Sequence, residues 1–254
     1  TYAWTGDNGA IIANPSASLT SITFPTQGVT TITLTVSNGQ GSSTKVRTVT
    51  VLNGTPVITG NYFESFESPG VPINWSIINT QGIGWDQTSI AAKDGSGSYF
   101  LDGTQSQFAQ VDVLVMPIMD IVNNPSNLLT FSYAYARQTS THNDKLVLQG
   151  SLDCGGTWTD VVNLSAATMA SGSGGVTSTP YAPASAAEWK DVDVTTYPYW
   201  FNFTNSPSAL FRFVFTEDPT NGMGNRLFID AVNFQNPNGL NELTKNYRLN
   251  LFPN

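Results

Sequence analysis

With 11% charged side chains and a net charge of −8, this 254-residue chain offers no basic surface for a nucleic acid or an anionic membrane. Its 40% hydrophobic and 11% aromatic residues suffice to fill real cores. No apolar run approaches the ~18 residues of a membrane-spanning helix. Cys154 is the only cysteine and His142 the only histidine, which excludes a disulfide framework and a histidine-based zinc site within these residues.

Gly, Pro, Thr, Ser and Asn punctuate short apolar runs, and helical periodicity hardly appears, so the expected class is all-β. Thr1 follows no Met and no signal-peptide pattern, which predicts that these residues belong to a longer protein. In Thr31-Ile32-Thr33-Leu34-Thr35-Val36 the apolar residues alternate, placing Ile32, Leu34 and Val36 on one buried face. A turn with an irregular loop over 37–42 then returns the chain as a strand over 46–51. Tyr2-Ala3-Trp4, the strand 28–36 and the turn Asn38 to Gly41 resemble a PKD domain, which implies an immunoglobulin-like sandwich over 1–52, incomplete at its start and acting as a spacer. Asn53-Gly54-Thr55-Pro56 opens a linker over 53–60.

Residues 61–236 carry a longer pattern. Leu210-Phe211-Arg212-Phe213-Val214-Phe215 sets three phenylalanines on one face, and Leu128 to Tyr135 does the same with its larger groups, as two packed antiparallel sheets require. Phe63-Glu64-Ser65-Phe66-Glu67, Pro72-Ile73-Asn74-Trp75, Gly95-Ser96-Gly97-Ser98, the segment 111–117 and Leu227-Phe228-Ile229-Asp230 follow one another in an order that resembles the MAM-like jelly rolls. Those domains occur in Bacteroidetes adhesins and pappalysin-like metallopeptidases. Ser151-Leu152-Asp153-Cys154-Gly155-Gly156-Thr157-Trp158 fits the Asp-box pattern of sialidases. That resemblance implies a hairpin turn held by Asp153, rather than a catalytic acid. A glycosidase needs two opposed carboxylates, and no partner stands out beside Asp153.

Asp230 is expected to share a face with Phe228, Val232 and Phe234. A carboxylate aimed at a sandwich interior must be neutralised, paired or metal-bound. Jelly rolls similar to this one hold a structural Ca²⁺, and the resemblance carries its ligands over to Glu67, to Lys93 and Asp94 with neighbouring Gly95, and to Asp230. The alternative is an Asp230 in water or accepting turn amides. Five rings in Tyr197-Pro198-Tyr199-Trp200-Phe201-Asn202-Phe203 read as a strand with its loop filling the core, against the alternative of a sugar-stacking platform. The glycine-rich 170–175 reads as a flexible surface insertion, and 221–225 as the turn before the last strand.

No His-Glu-x-x-His, no Gly-x-Ser-x-Gly elbow and no phosphate-cradling loop is present, so these residues display no catalytic constellation. The ending Leu251-Phe252-Pro253-Asn254 is similar to the first strand of the type IX sorting domain, which assigns 237–254 to a linker and the start of that domain. The resemblances together imply a secreted or cell-surface cargo of the type IX machinery, acting in adhesion, docking or support of an upstream zinc metallopeptidase. A carbohydrate-binding module or adhesin without an enzyme is the alternative, so the expected ligand is a glycan or a protein. Hydrolysis of glycans by the jelly roll itself is the third reading.

Overall fold

Alternating apolar and polar residues become strands along almost the whole chain in the computed structural model, which describes residues 1–26, 28–51, 57–79, 82–106, 109–124 and 128–234. The first strands are β1 (Tyr2–Gly6), β2 (Ile11–Ile12), β3 (Ile22–Thr23), β4 (Gly28–Asn38) and β5 (Gly41–Val51). An antiparallel sheet runs in the order β1-β4-β5, and β2 pairs with β3 as a ribbon. The expected irregular loop is instead a tight turn. Asn38 pairs with Gly41, and the Asn38 carboxamide oxygen accepts the Gln40 N–H at 2.9 Å, a local bond that closes the hairpin over two residues. On the face of Ile32 the burial fades along the strand: Thr30 and Ile32 are buried, Leu34 is half-buried and Val36 is exposed.

The longer part is a jelly-roll sandwich of two antiparallel sheets. Its strands are β6 (Tyr62–Glu64), β7 (Ser76–Asn79), β8 (Asp86–Thr88), β9 (Ser98–Asp102), β10 (Val111–Val115), β11 (Thr130–Tyr135), β12 (Lys145–Ser151), β13 (Thr159–Ser165), β14 (Lys190–Asp193), β15 (Leu210–Thr216) and β16 (Arg226–Phe234). One sheet has the order β13-β12-β15-β10-β7; the other has β14-β11-β16-β9-β8, with β6 also paired to β16. The sandwich takes in part of the expected linker, because the Ile58 N–H donates to the Ile118 carbonyl (2.8 Å) and the Ile58 carbonyl accepts from Asp120 N–H (3.0 Å). The expected sorting-domain start, 237–254, lies outside the described residues.

Strand β15 sits at the centre of its sheet, bonded to β12 and β10, and its inward Phe211, Phe213 and Phe215 are all buried. Phe213 meets Phe131 of the other sheet edge-on at 4.9 Å, and Phe215 meets Tyr135 at 6.4 Å, so the two sheets interlock through rings. Trp200 stacks on Phe211 at 5.7 Å, and Phe203 packs against the same ring at 5.2 Å. Gly150 of β12 explains that fit: any Cβ there would collide with the Phe203 ring.

Three sequence expectations are corrected. Asp230 does not share a face with Val232 and Phe234. The register of β16 against β11 shifts at a bulge, and Ala231 adopts φ 50°. Leu227 and Ile229 before the bulge, and Val232 and Phe234 after it, face the central core, whereas Phe228 belongs to the outer cluster of Ala134, Ala136, Tyr181 and Trp189. Asp230 therefore sits on the outer side with Phe228. The aromatic run is not a strand; it forms 3-10 turns over Val194–Thr196 and Pro198–Asn202, the second started by a proline at its first position. The glycine-rich segment is not a loose insertion. It follows a short helix, α1 (Ala166–Ala170), whose Ala166, Met169 and Ala170 are buried, and Gly174 N–H donates to Tyr135 carbonyl at 2.9 Å while Ser173 Oγ donates to Glu188 carbonyl at 2.6 Å.

Because Phe211 touches two rings at the middle of the core, Phe211→Ala should lower unfolding free energy by about 3–5 kcal/mol. Urea unfolding of the chain checks this.

Candidate functional site

The four residues expected to hold calcium come together. The bulge at Ala231 turns the Asp230 carboxylate onto the 93–97 turn, where Oδ2 accepts the N–H groups of Lys93 (2.6 Å) and Asp94 (3.1 Å) and Oδ1 accepts that of Ala231 (2.6 Å). Glu67 takes the other side of the same turn, accepting the Ser96 N–H (3.0 Å), the Ser96 hydroxyl (2.8 Å) and the Gly97 N–H (3.1 Å). Two carboxylates from opposite ends of the sandwich sequence thus staple one turn through its amides. Burial pushes Asp230 up to about 6 despite its three amide donors. Glu67 stays low, held by the Ser96 hydroxyl and the Gly97 amide. A carboxylate has about four lone-pair sites. Glu67 and Asp230 already spend most of theirs on N–H and O–H donors, and among the described residues no group of three or more Asp, Glu, His or Cys side chains gathers as a metal cage. Apart from the Ser96 hydroxyl, the groups facing the carboxylates are N–H donors rather than the oxygens that calcium takes.

A second constellation lies on the outer face of the five-stranded sheet, and the sequence reading missed it. Outward positions on β15 alternate with the phenylalanines, so Arg212 faces out, and its guanidinium lies 3.8 Å from the centre of the Trp158 ring. Arg212 Nε donates to Gln149 Oε1 at 2.8 Å, and Gln149 Nε2 donates to Asp160 Oδ1 at 2.7 Å, which fixes the fork in place. Burial lowers the Arg212 pKa. Arg212 and Trp158 line a notch of about 400 Å³ with Ile78, Val115 and the 153–156 turn, with Thr48 and Val49 of β5 on the remaining wall. The spacing of Trp158 and Arg212 in sequence gave no signal. Trp158 lies just before β13, and β12 separates β13 from β15, so the meeting of the two side chains follows only once that strand order is known.

Asp153 behaves as the Asp-box resemblance implied. It accepts the Thr157 N–H (2.8 Å), the Ser151 hydroxyl (2.7 Å) and the Thr157 hydroxyl (2.8 Å), and the Thr157 amide leads in holding its pKa down to about 2. Such a carboxylate is a poor proton donor or acceptor near neutrality. Cys154 is exposed at φ 57° in the same turn. His142 is buried near the far end of β12, its Nε2 against the Met223 carbonyl and its Nδ1 against the Thr139 hydroxyl, both at 3.0 Å. The seven residues of β12 span roughly 23 Å, so the thiol and imidazole form no pair.

The aromatic run divides. Trp200 and Phe203 fill the core, as expected, while Tyr199 (57% exposed) and Phe201 (70%) face solvent. Two residues apart on a 3-10 turn, these two rings point in different directions and do not form one flat platform.

No protein-family model matches the chain, and no curated protein matches it. Among solved structures, the chain is similar to the K1 cleaved adhesin domain of Lys-gingipain from Porphyromonas gingivalis W83, with 17% identity over 68% of this chain and 96% of that one and a TM-score of 0.42. The K3 cleaved adhesin domain of the same protein gives 15%, 68%, 97% and 0.40. A carbohydrate-binding module of Caldicellulosiruptor saccharolyticus, CBM27-1, solved with mannohexaose, gives 11%, 69%, 97% and 0.41.

The staple can be broken at its glycine. Gly95 has φ +66°, and a Cβ there would overlap the Glu67 carboxylate. Gly95→Ala should lower stability by about 1–3 kcal/mol, read as a lower urea midpoint with an unchanged slope.

Proposed function

We propose that the sandwich is a non-catalytic binding domain of a secreted or surface protein, and that it takes a glycan at the Trp158–Arg212 notch. The observation that carries this reading is the Arg212 fork, laid on an indole, tied by Gln149 through Nε, and lining the notch beside Trp158. A fork held in this way offers preorganised donors to hydroxyl or carboxylate oxygens, and the apolar Ile78 and Val115 give a sugar ring a surface to cover. Asp153, its capacity already spent on its own turn, supports binding over hydrolysis.

The finer parts of the reading rest on sequence motifs. Residues 1–52 serve as a PKD-like spacer, the sandwich is of the MAM-like kind, and the motif Leu251-Phe252-Pro253-Asn254 marks a cargo of the type IX machinery. The domain then acts in adhesion, or in docking and support for an upstream zinc metallopeptidase.

A glycan array probed with the 254-residue chain tests the site. The native chain should bind at least one glycan class, Arg212→Ala should lose at least tenfold in affinity, and Tyr199→Ala should bind as the native chain does. Loss in Tyr199→Ala with retention in Arg212→Ala, or no glycan bound at all, overturns the assignment.

The calcium expectation enters as a second state of the staple. The fully buried Asp230 is the observation that favours it. In that state an ion replaces N–H donors at Glu67 and Asp230, and the turn at Lys93, Asp94 and Gly95 presents main-chain oxygens to it. Thermal melts in millimolar Ca²⁺ and in EDTA decide: a calcium-dependent rise of several degrees supports the ion, and identical melts leave the amides as the permanent partners.

A further inference from the structure

The inward register of β15 does not stop at its last phenylalanine. Glu217 follows Phe211, Phe213 and Phe215 at the same parity, beside Asp112 of β10 and Asp144 at the entry to β12, and all three carboxyls are buried at one end of the sandwich. Asp144 accepts the Tyr135 hydroxyl (2.5 Å) and the Asp218 N–H (2.8 Å). Glu217 is met by the Ser106 hydroxyl in a very short contact. Asp112 accepts Gln110 Nε2 (2.8 Å) on one oxygen, while its other oxygen is buried with no partner.

Among the described residues no cation pairs with these three groups. Arg137 gives its fork to the His142 carbonyl (2.9 and 2.6 Å), and Arg226 pairs with Asp102 (3.2 Å). The His142 ring is engaged by Thr139 and Met223, and Asp218 is itself satisfied by Asn143, Thr220 and Asn221. Three ionised carboxylates in so dry a space would each lack a counter-charge. We propose that this end of the sandwich is a proton-binding chamber, in which Asp112, Asp144 and Glu217 hold protons in the folded chain and their ionisation with rising pH loosens the surrounding strand ends.

Burial pushes Glu217 up to about 8, with Asp144 and Asp112 adding repulsion, and pushes Asp112 up to about 6; Asp144 is raised by the same cause. Folded affinities for protons thus exceed those of unfolded carboxyls, near 4. The stabilisation is complete below that range and is lost as pH climbs through about 6 and then about 8. The carboxyls held low, such as Asp102 and Asp153, act only in acid, outside this window.

Thermal melts of the 254-residue chain from pH 5 to 8.5 should show Tm falling as pH rises. Glu217→Gln, which keeps the volume and cannot ionise, should flatten that fall and melt above the native chain at pH 8.5. The comparison also subtracts Asp230, which lies under the 93–97 turn outside the chamber. Should the variant fail to fold, the native chain still answers: unfolding at pH 7 should release roughly one proton, by calorimetry in buffers of different ionisation enthalpy. A Tm that is flat or rises over this range, or unfolding without proton release, overturns the proposal.

Discussion

The seam of rings between the sheets fixes everything else in the sandwich. Phe213 and Phe215 of β15 lock against Phe131 and Tyr135 across the core while Phe211 packs on Trp200 and Phe203, and period-two alternation then dictates where every other residue of that strand goes. Arg212 and Val214 must face out, and Glu217 must face in. The notch on the outer face and the acid chamber at the sandwich end are therefore consequences of one register. A slip by a single residue would bury the guanidinium and expose the phenylalanines.

The last strand solves a different problem. It must present Leu227 and Ile229, then Val232 and Phe234, to the same core, an interval that a regular strand cannot provide. The bulge at Ala231 restores the phase, and in doing so throws Asp230 onto the outer side, where the 93–97 turn covers it with amides. A buried carboxylate satisfied in this way ties the final strand to a segment well over a hundred residues earlier. Long loops closed by such contacts cost little more than short ones.

Much of this was legible in the sequence because β-strands advertise their faces. The alternations at 31–36, 128–135 and 210–215 became the strands they suggested, and the Asp-box string became the hairpin turn between β12 and β13. Glu67, Asp230 and the 93–97 turn, which the resemblance named as calcium ligands, lie together, and Asp230 accepts turn amides there, the alternative that the sequence left open. What stayed hidden has physical reasons. A non-glycine residue at positive φ, such as Ala231, leaves no mark in composition. Helix α1 has five residues, too few for helical periodicity to show, and Tyr197 to Phe203 has strand-like composition but begins its 3-10 turn at Pro198. The pairing of Arg212 with Trp158 depends on strand order, which no local pattern encodes. Asp112 did leave a trace, since Val111-Asp112-Val113-Leu114-Val115 places it at the parity of the core residue Leu114.

The glycan-binding surface proposed for this domain is the outer face of the five-stranded sheet. Amide and indole chemical-shift mapping of the isotopically labelled chain, titrated with soluble mannan, xylan and β-glucan oligosaccharides, tests it most directly. Shifts should concentrate at the Trp158 indole, Gln149, Arg212 and the 153–156 turn. Shifts gathered instead around Tyr199 and Phe201, or confined to the first 51 residues, would contradict it.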